Sequence, residues 1–338
     1  MTVRYTAFVL AVLIASGAII VRVYDVGAGS SGASGLSVPH APIAAPAPVP
    51  AAAPAAPGPY AGTPAPVRLR PRFKHAPRGA LVWDVDTGQV LWALNPGVRR
   101  PIASLAKMMT AIVVEERASW SERVLIGADA KAEPGSAVGL LPPHRRVPLR
   151  LLMYGLLLPS GNDAAVALAD HVGGSVPAFV ATMNARGRQL GLRCSSFSSP
   201  DGYEDRGNTA CPRDLAVLAH EILTRPRLAQ VVRTRSAGFR SPLPHTAKVR
   251  RGTRTVWKPG QLYMSSHNPL LRAGYPGTTG VKTGYTDAAG LCFVGTARRF
   301  GRHLGVVLLH SPDPGGQAQR LLDAGFAALR ARTHTTPA

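Results

Sequence analysis

Three short motifs follow one another along this chain: Ser104-Leu105-Ala106-Lys107, Ser160-Gly161-Asn162 and Lys282-Thr283-Gly284. A serine hydroxyl is a poor nucleophile at neutral pH and needs a base within reach. Three residues apart on a helix, Ser104 and Lys107 share a face, so the amine takes the hydroxyl proton provided that it is itself neutral. Burial near other cations produces a neutral lysine, and Lys282, brought close by the fold, is the expected cation. The chemistry these groups supply is acyl transfer through a serine ester. Each motif alone recurs by chance in most chains of this length, as solvated helix or loop residues. All three in this order are specific.

Such groups need elements that aim them. Ala80 to Asp84 and Gln89 to Ala93 read as strands of a hairpin around Val85-Asp86-Thr87-Gly88. Ala103 to Arg117 carries apolar residues at helical spacing and holds the Ser104/Lys107 pair. Leu149 to Leu158, Asp163 to Val172, Val176 to Leu190 and Pro212 to Leu223 read as further helices. Ser160 and Asn162 fall in the tight loop between two of them, where Ser160 or Asp163 also has the chemistry of a helix cap. Gly280 to Tyr285, Gly290 to Arg298 and Leu304 to His310 read as strands, and Gly315 to Arg330 as a closing helix. Lys282 and Thr283 then lie on a strand beside Gly284, whose missing side chain leaves room for a substrate backbone at the strand edge. Strands, helices, strands and a last helix predict an α+β fold: an antiparallel sheet flanked by helices, with an inserted mainly helical subdomain.

The motif set resembles that of the penicillin-binding protein and serine β-lactamase superfamily. The surrounding residues narrow the resemblance to its low-molecular-mass D-alanyl-D-alanine carboxypeptidases: Ile102 to Ala111, Tyr154 to Ala169, Phe179 to Gly191, Ser199 to Tyr203, Asp214 to Ala219 and Thr279 to Gly290. The resemblance covers about Gly79 to Leu309. It implies that Ser104 forms the acyl-enzyme with the penultimate D-Ala and that Lys107 is its base. Ser160 and Asn162 relay protons and position the peptide, Lys282 supports the electrostatics, and Thr283 binds the terminal carboxylate. The backbone N–H groups of Ser104 and Tyr285 form the oxyanion hole beside Gly284. The implied substrate is a peptidoglycan stem peptide ending in D-Ala-D-Ala, with β-lactams as covalent inhibitors and no cofactor or metal. Two stretches depart from the family: Thr279 stands where an acidic residue or Asn is usual, and Gly207 to Cys211 replaces a more regular His/Tyr-Ser-Thr-Ala run.

Around this domain, expected over 78–331, the composition changes. Ala7 to Val21 is an uncharged apolar run behind Arg4, so residues 1–26 have the layout of a secretory signal or a membrane anchor. Residues 27–77 are rich in Pro and Ala and read as an extended spacer, and 332–338 as a tail. The expected location is extracytoplasmic, secreted or held at the outer face of the plasma membrane, with membrane contact only through an uncleaved N-terminus. A formal net charge of +21 draws the protein to polyanions such as anionic wall polymers. The arginines are scattered, with no zinc-finger spacing and no aromatic RNA-binding motif, which argues against nucleic acid. Three cysteines without a CxxC pair indicate neither a zinc site nor a disulfide framework. Cys194 and Cys211 are compatible with a bond or with two buried thiols.

Other chemistries fit less well. A β-lactamase needs a base for deacylation, usually Glu followed four residues later by Asn. Glu204 and Asn208 have that spacing, but within a polar Gly-punctuated stretch that reads as a turn. A transpeptidase would use the same groups. A silent penicillin-sensing, wall-binding protein would lack one of them, and none is missing. His220-Glu221 lacks the second His of a zinc-peptidase motif.

Overall fold

The computed structural model describes residues 69–203, 207–243, 247–252, 254–258 and 260–333. The apolar run 7–21, the spacer up to residue 68, Glu204 and the last five residues of the tail lie outside the described residues.

In chain order, β1 (Gly79–Asp84) and β2 (Val90–Leu94) form the predicted hairpin. Its turn is fixed by Asp84, whose Oδ1 accepts the N–H groups of Asp86 and Thr87 at 3.0 Å each. The two-residue strand β3 (Arg100–Pro101) leads into a 3-10 turn, Ala103–Ala106, and then α1 (Lys107–Arg117). The helical subdomain follows: β4 (Arg123–Leu125), α2 (Ala128–Ala132), β5 (Arg146–Pro148), α3 (Leu149–Leu157), α4 (Asn162–Gly173) and α5 (Val176–Gln189). β6 (Thr209–Ala210) pairs back with β3, and α6 (Pro212–Leu223) and α7 (Pro226–Val232) return the chain toward the sheet.

Two ribbons that the sequence reading does not anticipate come next, β7 (Ser236–Arg240) paired with β10 (Gln261–Ser265), and β8 (Ala247–Arg251) paired with β9 (Arg254–Lys258). The chain then forms α8 (Pro269–Arg272), β11 (Thr278–Thr286), β12 (Gly290–Arg299), β13 (Arg302–Leu309) and α9 (Pro314–Thr333).

The main sheet has the order β11-β12-β13-β1-β2, antiparallel throughout. Both of its faces are covered, which is why β1 is buried along its whole length rather than alternating with solvent. The alternation appears instead as a division between two cores. Leu81, Trp83, Val294, Val307 and Leu309 face the helical subdomain. Ala80, Val82, Phe293, Val306 and Leu308 face Leu321, Leu322 and Phe326 of α9. Each such large side chain contributes about 2 kcal/mol by leaving water. Helix α4 is buried from Asn162 to Ala169 and packs against α1, α2, α3 and α5, so the subdomain is built around it. Among the described residues no single helix is long and apolar enough to cross a membrane.

The domain is already packed at Leu69, whose N–H donates to Leu91 O at 3.2 Å. The Phe73 ring lies 5.6 Å from that of Trp92, and His75 O accepts from Gln317 Nε2. Cys194 and Cys211 pair as a disulfide with Cα atoms 5.7 Å apart, joining the loop after α5 to the start of α6. The neighbouring Asp214 carboxylate accepts from Cys194 N–H and the Ser195 hydroxyl. Closing a loop of 17 residues is expected to stabilise the fold by about 3 kcal/mol. Cys194→Ser with Cys211→Ser is therefore expected to lower the urea midpoint and to raise the denaturation slope, because the unfolded chain exposes more surface without the bond. An unchanged midpoint would mean that the bond does not constrain the unfolded chain.

Candidate active site

The sequence reading places Ser104 and Lys107 on one helix, and the structure refines this. Ser104 lies in the 3-10 turn and Lys107 is the first residue of α1. Side chains three apart eclipse in 3-10 geometry, which brings Lys107 Nζ to 2.9 Å from Ser104 Oγ. Ala103, just before Ser104, has φ +49°, a left-handed conformation that costs a non-glycine residue about 1 kcal/mol.

Lys107 is fully buried and Ser104 half-buried at its tip. The Nζ also donates to Asn162 Oδ1 at 2.7 Å and to Asp201 O at 2.6 Å. Burial pushes its pKa down to about 8, against the opposing pull of the Asp201, Asp163 and Glu133 carboxylates. Burial is the larger cause, and the repulsion from Lys282 that the sequence leads one to expect acts on both ammonium groups alike. Lys282 is itself fully buried, and it is Lys282 that is driven well below the ordinary lysine range, by burial first and by the Lys107 charge second.

Lys107 has three partners, and two of them, an amide oxygen and a main-chain carbonyl, only accept. When the ammonium loses a proton, its two remaining N–H groups stay on Asn162 and Asp201. The lone pair is then left for the Ser104 hydroxyl, and that hydrogen bond reverses direction. The site is thereby built to make the serine a donor to nitrogen.

Asn162 is braced at its other end, with Nδ2 donating to Pro134 O at 2.6 Å and its N–H to Ser136 O at 2.6 Å. Asp163 stitches the same loop down, accepting Val138 N–H and Gly139 N–H. Of the two expected cap residues, Asp163 takes a first-turn N–H, that of Ala164, and Ser160 takes none. Ser160 has φ +66° and a buried Oγ without a hydrogen-bond partner among the described residues. A buried hydroxyl in that state is one that a substrate would satisfy.

Lys282, Thr283, Gly284 and Tyr285 lie on β11, the edge strand of the sheet. Lys282 Nζ donates to Thr283 O at 2.8 Å. Thr283 is half-buried and Tyr285 exposed, and no described hydrogen bond ties either side chain to Ser104 or Lys107. The absent side chain of Gly284 also serves a contact within the chain. A Cβ there would stand 2.9 Å from Ile102 O and 3.0 Å from Ser104 N, so the glycine admits the nucleophile's own backbone to β11.

Sequence reasoning passes over three contributors. Asp201 and Gly202 sit in the Ser-Pro-Asp-Gly turn, whose chemistry is carried by a carbonyl and a missing Cβ, neither of which a side-chain motif displays. His267 lines a cleft of about 630 Å3 beside Pro159, with Arg235 and Arg272, and its N–H donates to Leu158 O. Burial and the Lys282 and Arg272 charges lower the His267 pKa, so the charge of this cleft comes from its arginines rather than from the ring. The unusual Thr279 is absorbed by polar contacts behind β11, to Thr296 Oγ1 at 2.7 Å and His303 Nε2 at 2.8 Å. Asn208 is buried, with its amide engaged by Ser198 and Ser199, which gives it a bracing duty rather than that of a water-holding partner to Glu204.

A serine bonded to a buried lysine across a 3-10 turn, with a second buried lysine on an adjoining edge strand, defines a serine peptidase of the acyl-enzyme class. Residues 68–313 match the family model described as D-alanyl-D-alanine carboxypeptidase. A D-alanyl-D-alanine carboxypeptidase of Mycobacterium tuberculosis, DacB2, is 35% identical over 256 residues, covering 73% of this chain and 81% of its own. Another from Bacillus subtilis, DacF, is 29% identical, covering 75% of this chain, which spans 63% of the length of that relative. Among solved structures, the Streptomyces K15 DD-transpeptidase superposes with a TM-score of 0.67 at 30% identity, over 76% of this chain and 100% of its own. The chain belongs to the D-alanyl-D-alanine carboxypeptidase family of serine peptidases.

Proposed function

We propose that this protein removes the terminal D-alanine from peptidoglycan stem peptides ending in D-Ala-D-Ala, with Ser104 as nucleophile and Lys107 as base. The observation that carries this reading is the three-partner seat of Lys107, which leaves its lone pair for Ser104. Neutral Lys107 takes the Ser104 proton as Oγ bonds to the carbonyl carbon of the penultimate D-Ala. The charge on the carbonyl oxygen is met by the N–H groups of Ser104 and Tyr285. The proton passes by way of the Ser160 hydroxyl to the nitrogen of the departing D-Ala, the C–N bond breaks, and an ester remains on Ser104. Water, deprotonated by the same amine, then releases the shortened peptide. The cleft lined by Arg235 and Arg272, with Thr283 on the strand edge, attracts the free carboxylate of the substrate. β-Lactams, which mimic the D-Ala-D-Ala end, acylate Ser104.

Because the base must be neutral, the sign of the pH dependence follows. Acylation is expected to rise about tenfold per pH unit below pH 8 and to level off above it. Stopped-flow acylation by a chromogenic β-lactam between pH 5.5 and 10 measures this, and a flat profile would remove Lys107 from the role of base.

Transfer of the acyl group to an amine is the second reading, favoured by the similarity to a protein named as a DD-transpeptidase. Incubation with a D-Ala-D-Ala peptide, with and without an added D-amino acid, separates the two. A peptide one residue shorter supports hydrolysis, and a product carrying the added amino acid supports transfer. No turnover by a protein that still forms a β-lactam adduct would sink both.

The domain works outside the plasma membrane on this reading. Support comes from the apolar run 7–21 with its Pro/Ala-rich spacer and from the disulfide, a bond of oxidising compartments.

A further inference from the structure

Arg123, Arg145, Arg146 and Arg240 converge on one surface recess of about 530 Å3, closed by Pro148 and the Ser241–Pro242 corner. No carboxylate lines it. Among the described residues none of these four arginines makes an ion pair, whereas Arg186 and Arg225 are neutralised by Glu116 and Glu221, and Arg298 by Asp86. Four like charges in one concavity repel each other, and an anion placed among them removes that repulsion.

Two of the four are fixed in place beforehand. Across the β4–β5 ribbon, Arg123 Nη2 donates to Arg146 O at 2.6 Å and Arg146 Nη1 donates to Arg123 O at 3.1 Å. A guanidinium carries five N–H donors, so each fork keeps others for a ligand, and its geometry matches phosphate oxygens. Arg145, from the turn before β5, and Arg240, from the end of β7, complete the ring.

The lining also limits the ligand. No aromatic side chain is present to stack a nucleobase, and no large apolar side chain to enter a bilayer. A recess of this size has room for a phosphate group and the chain that carries it. Its position carries a consequence for the enzyme. Arg240 ends β7, and Ser236 at the other end of that strand lines the cleft beside the catalytic residues, roughly 13 Å away by strand rise.

We propose that this recess binds a phosphate group of a base-free polyanion, a polyol-phosphate chain of the cell wall, and so holds the protein beside its peptide substrate. This does not depend on which acyl acceptor the active site uses.

The test titrates the full chain with short-chain inorganic polyphosphate at physiological ionic strength. It compares wild type, Arg145→Gln with Arg240→Gln, and the charge-matched control Arg188→Gln with Arg193→Gln, two exposed residues outside the recess. The dissociation constant is expected to rise about tenfold or more in the recess variant and at most about threefold in the control. D-Ala release from a small peptide should be the same in all three proteins. Equal losses in the two variants would show that binding follows net charge alone and would overturn the proposal. Binding to phosphatidylglycerol vesicles, or to a single-stranded oligonucleotide of equal charge, that depends more on these two arginines than polyphosphate binding does would also overturn it, in favour of a membrane or a nucleic acid.

Discussion

Ser104→Ala is expected to reduce D-Ala release by about ten-thousandfold or more and to abolish the covalent β-lactam adduct, with the fold intact. The chemical loss is near total because, among the described residues, no other hydroxyl is hydrogen-bonded to the Lys107 amine. The structural cost is small. Ser104 is half-buried, its side chain makes one described hydrogen bond, and Lys107 keeps Asn162 and Asp201 as acceptors when that bond is lost. One such bond is worth about 1 kcal/mol, so the melting temperature should move by only a few degrees. Mass spectrometry of the protein after penicillin exposure, beside a thermal melt, reads both quantities. An adduct persisting at full occupancy on the alanine variant would place the nucleophile elsewhere.

Gly202→Ala is expected to have the largest effect on the fold and, through it, on the chemistry. Gly202 has φ +78°, and a Cβ there would lie 2.0 Å from Ala103 O, 2.6 Å from Ala103 C and 3.1 Å from Ser104 N. The obstacle is main chain on both sides, so no rotamer change relieves it. Either the Ser-Pro-Asp-Gly turn or the 3-10 turn must move. Left-handed strain of about 1 kcal/mol adds to the overlap, giving a loss of roughly 3–5 kcal/mol and a melting temperature about 10 °C lower. Displacing Ser104 N also misplaces a donor of the oxyanion hole and should slow acylation about a hundredfold in the protein that folds. Gly191→Ala is the control: φ is +71° there, but nothing lies within 4 Å of the added carbon, so only the strain of about 1 kcal/mol applies. Equal destabilisation by the two substitutions would show that the contact with the nucleophile's backbone is immaterial.

The two expectations differ in where their warrant lies. Ser104 announces itself because Ser-x-x-Lys is a local pattern, and three residues of helical backbone bring the two side chains together whatever the rest of the chain does. Gly202 stands within a turn that any Asp-Gly pair suggests, and its importance rests on a segment almost a hundred residues away in sequence.

Local signals accordingly determined the order of the motifs, the helices α1 and α3 to α6, the strands β1, β2 and β11 to β13, and the α+β class, since hydrophobic period and turn residues act between near neighbours. The ribbon of β7 and β10 was not read in this way. Its strands expose Ser, Gly, Arg and Gln, and only Leu262 and Met264 of β10 are fully buried, too few to declare a strand. Tertiary structure alone decided the environment of the catalytic groups. Lys107 meets Asn162 across 55 residues and Asp201 across 94, and Lys107 and Lys282 are both fully buried although lysine is among the residues least often found inside. It also decided that Lys107 is buried deeply enough for desolvation to lower its pKa, that Cys194 and Cys211 meet, and that four arginines from separate segments share one recess. A pKa, a disulfide and a charged pocket depend on distances through space and on the exclusion of water. Those are fixed only when the elements pack, whereas helices, strands and turns are already favoured by the residues beside them.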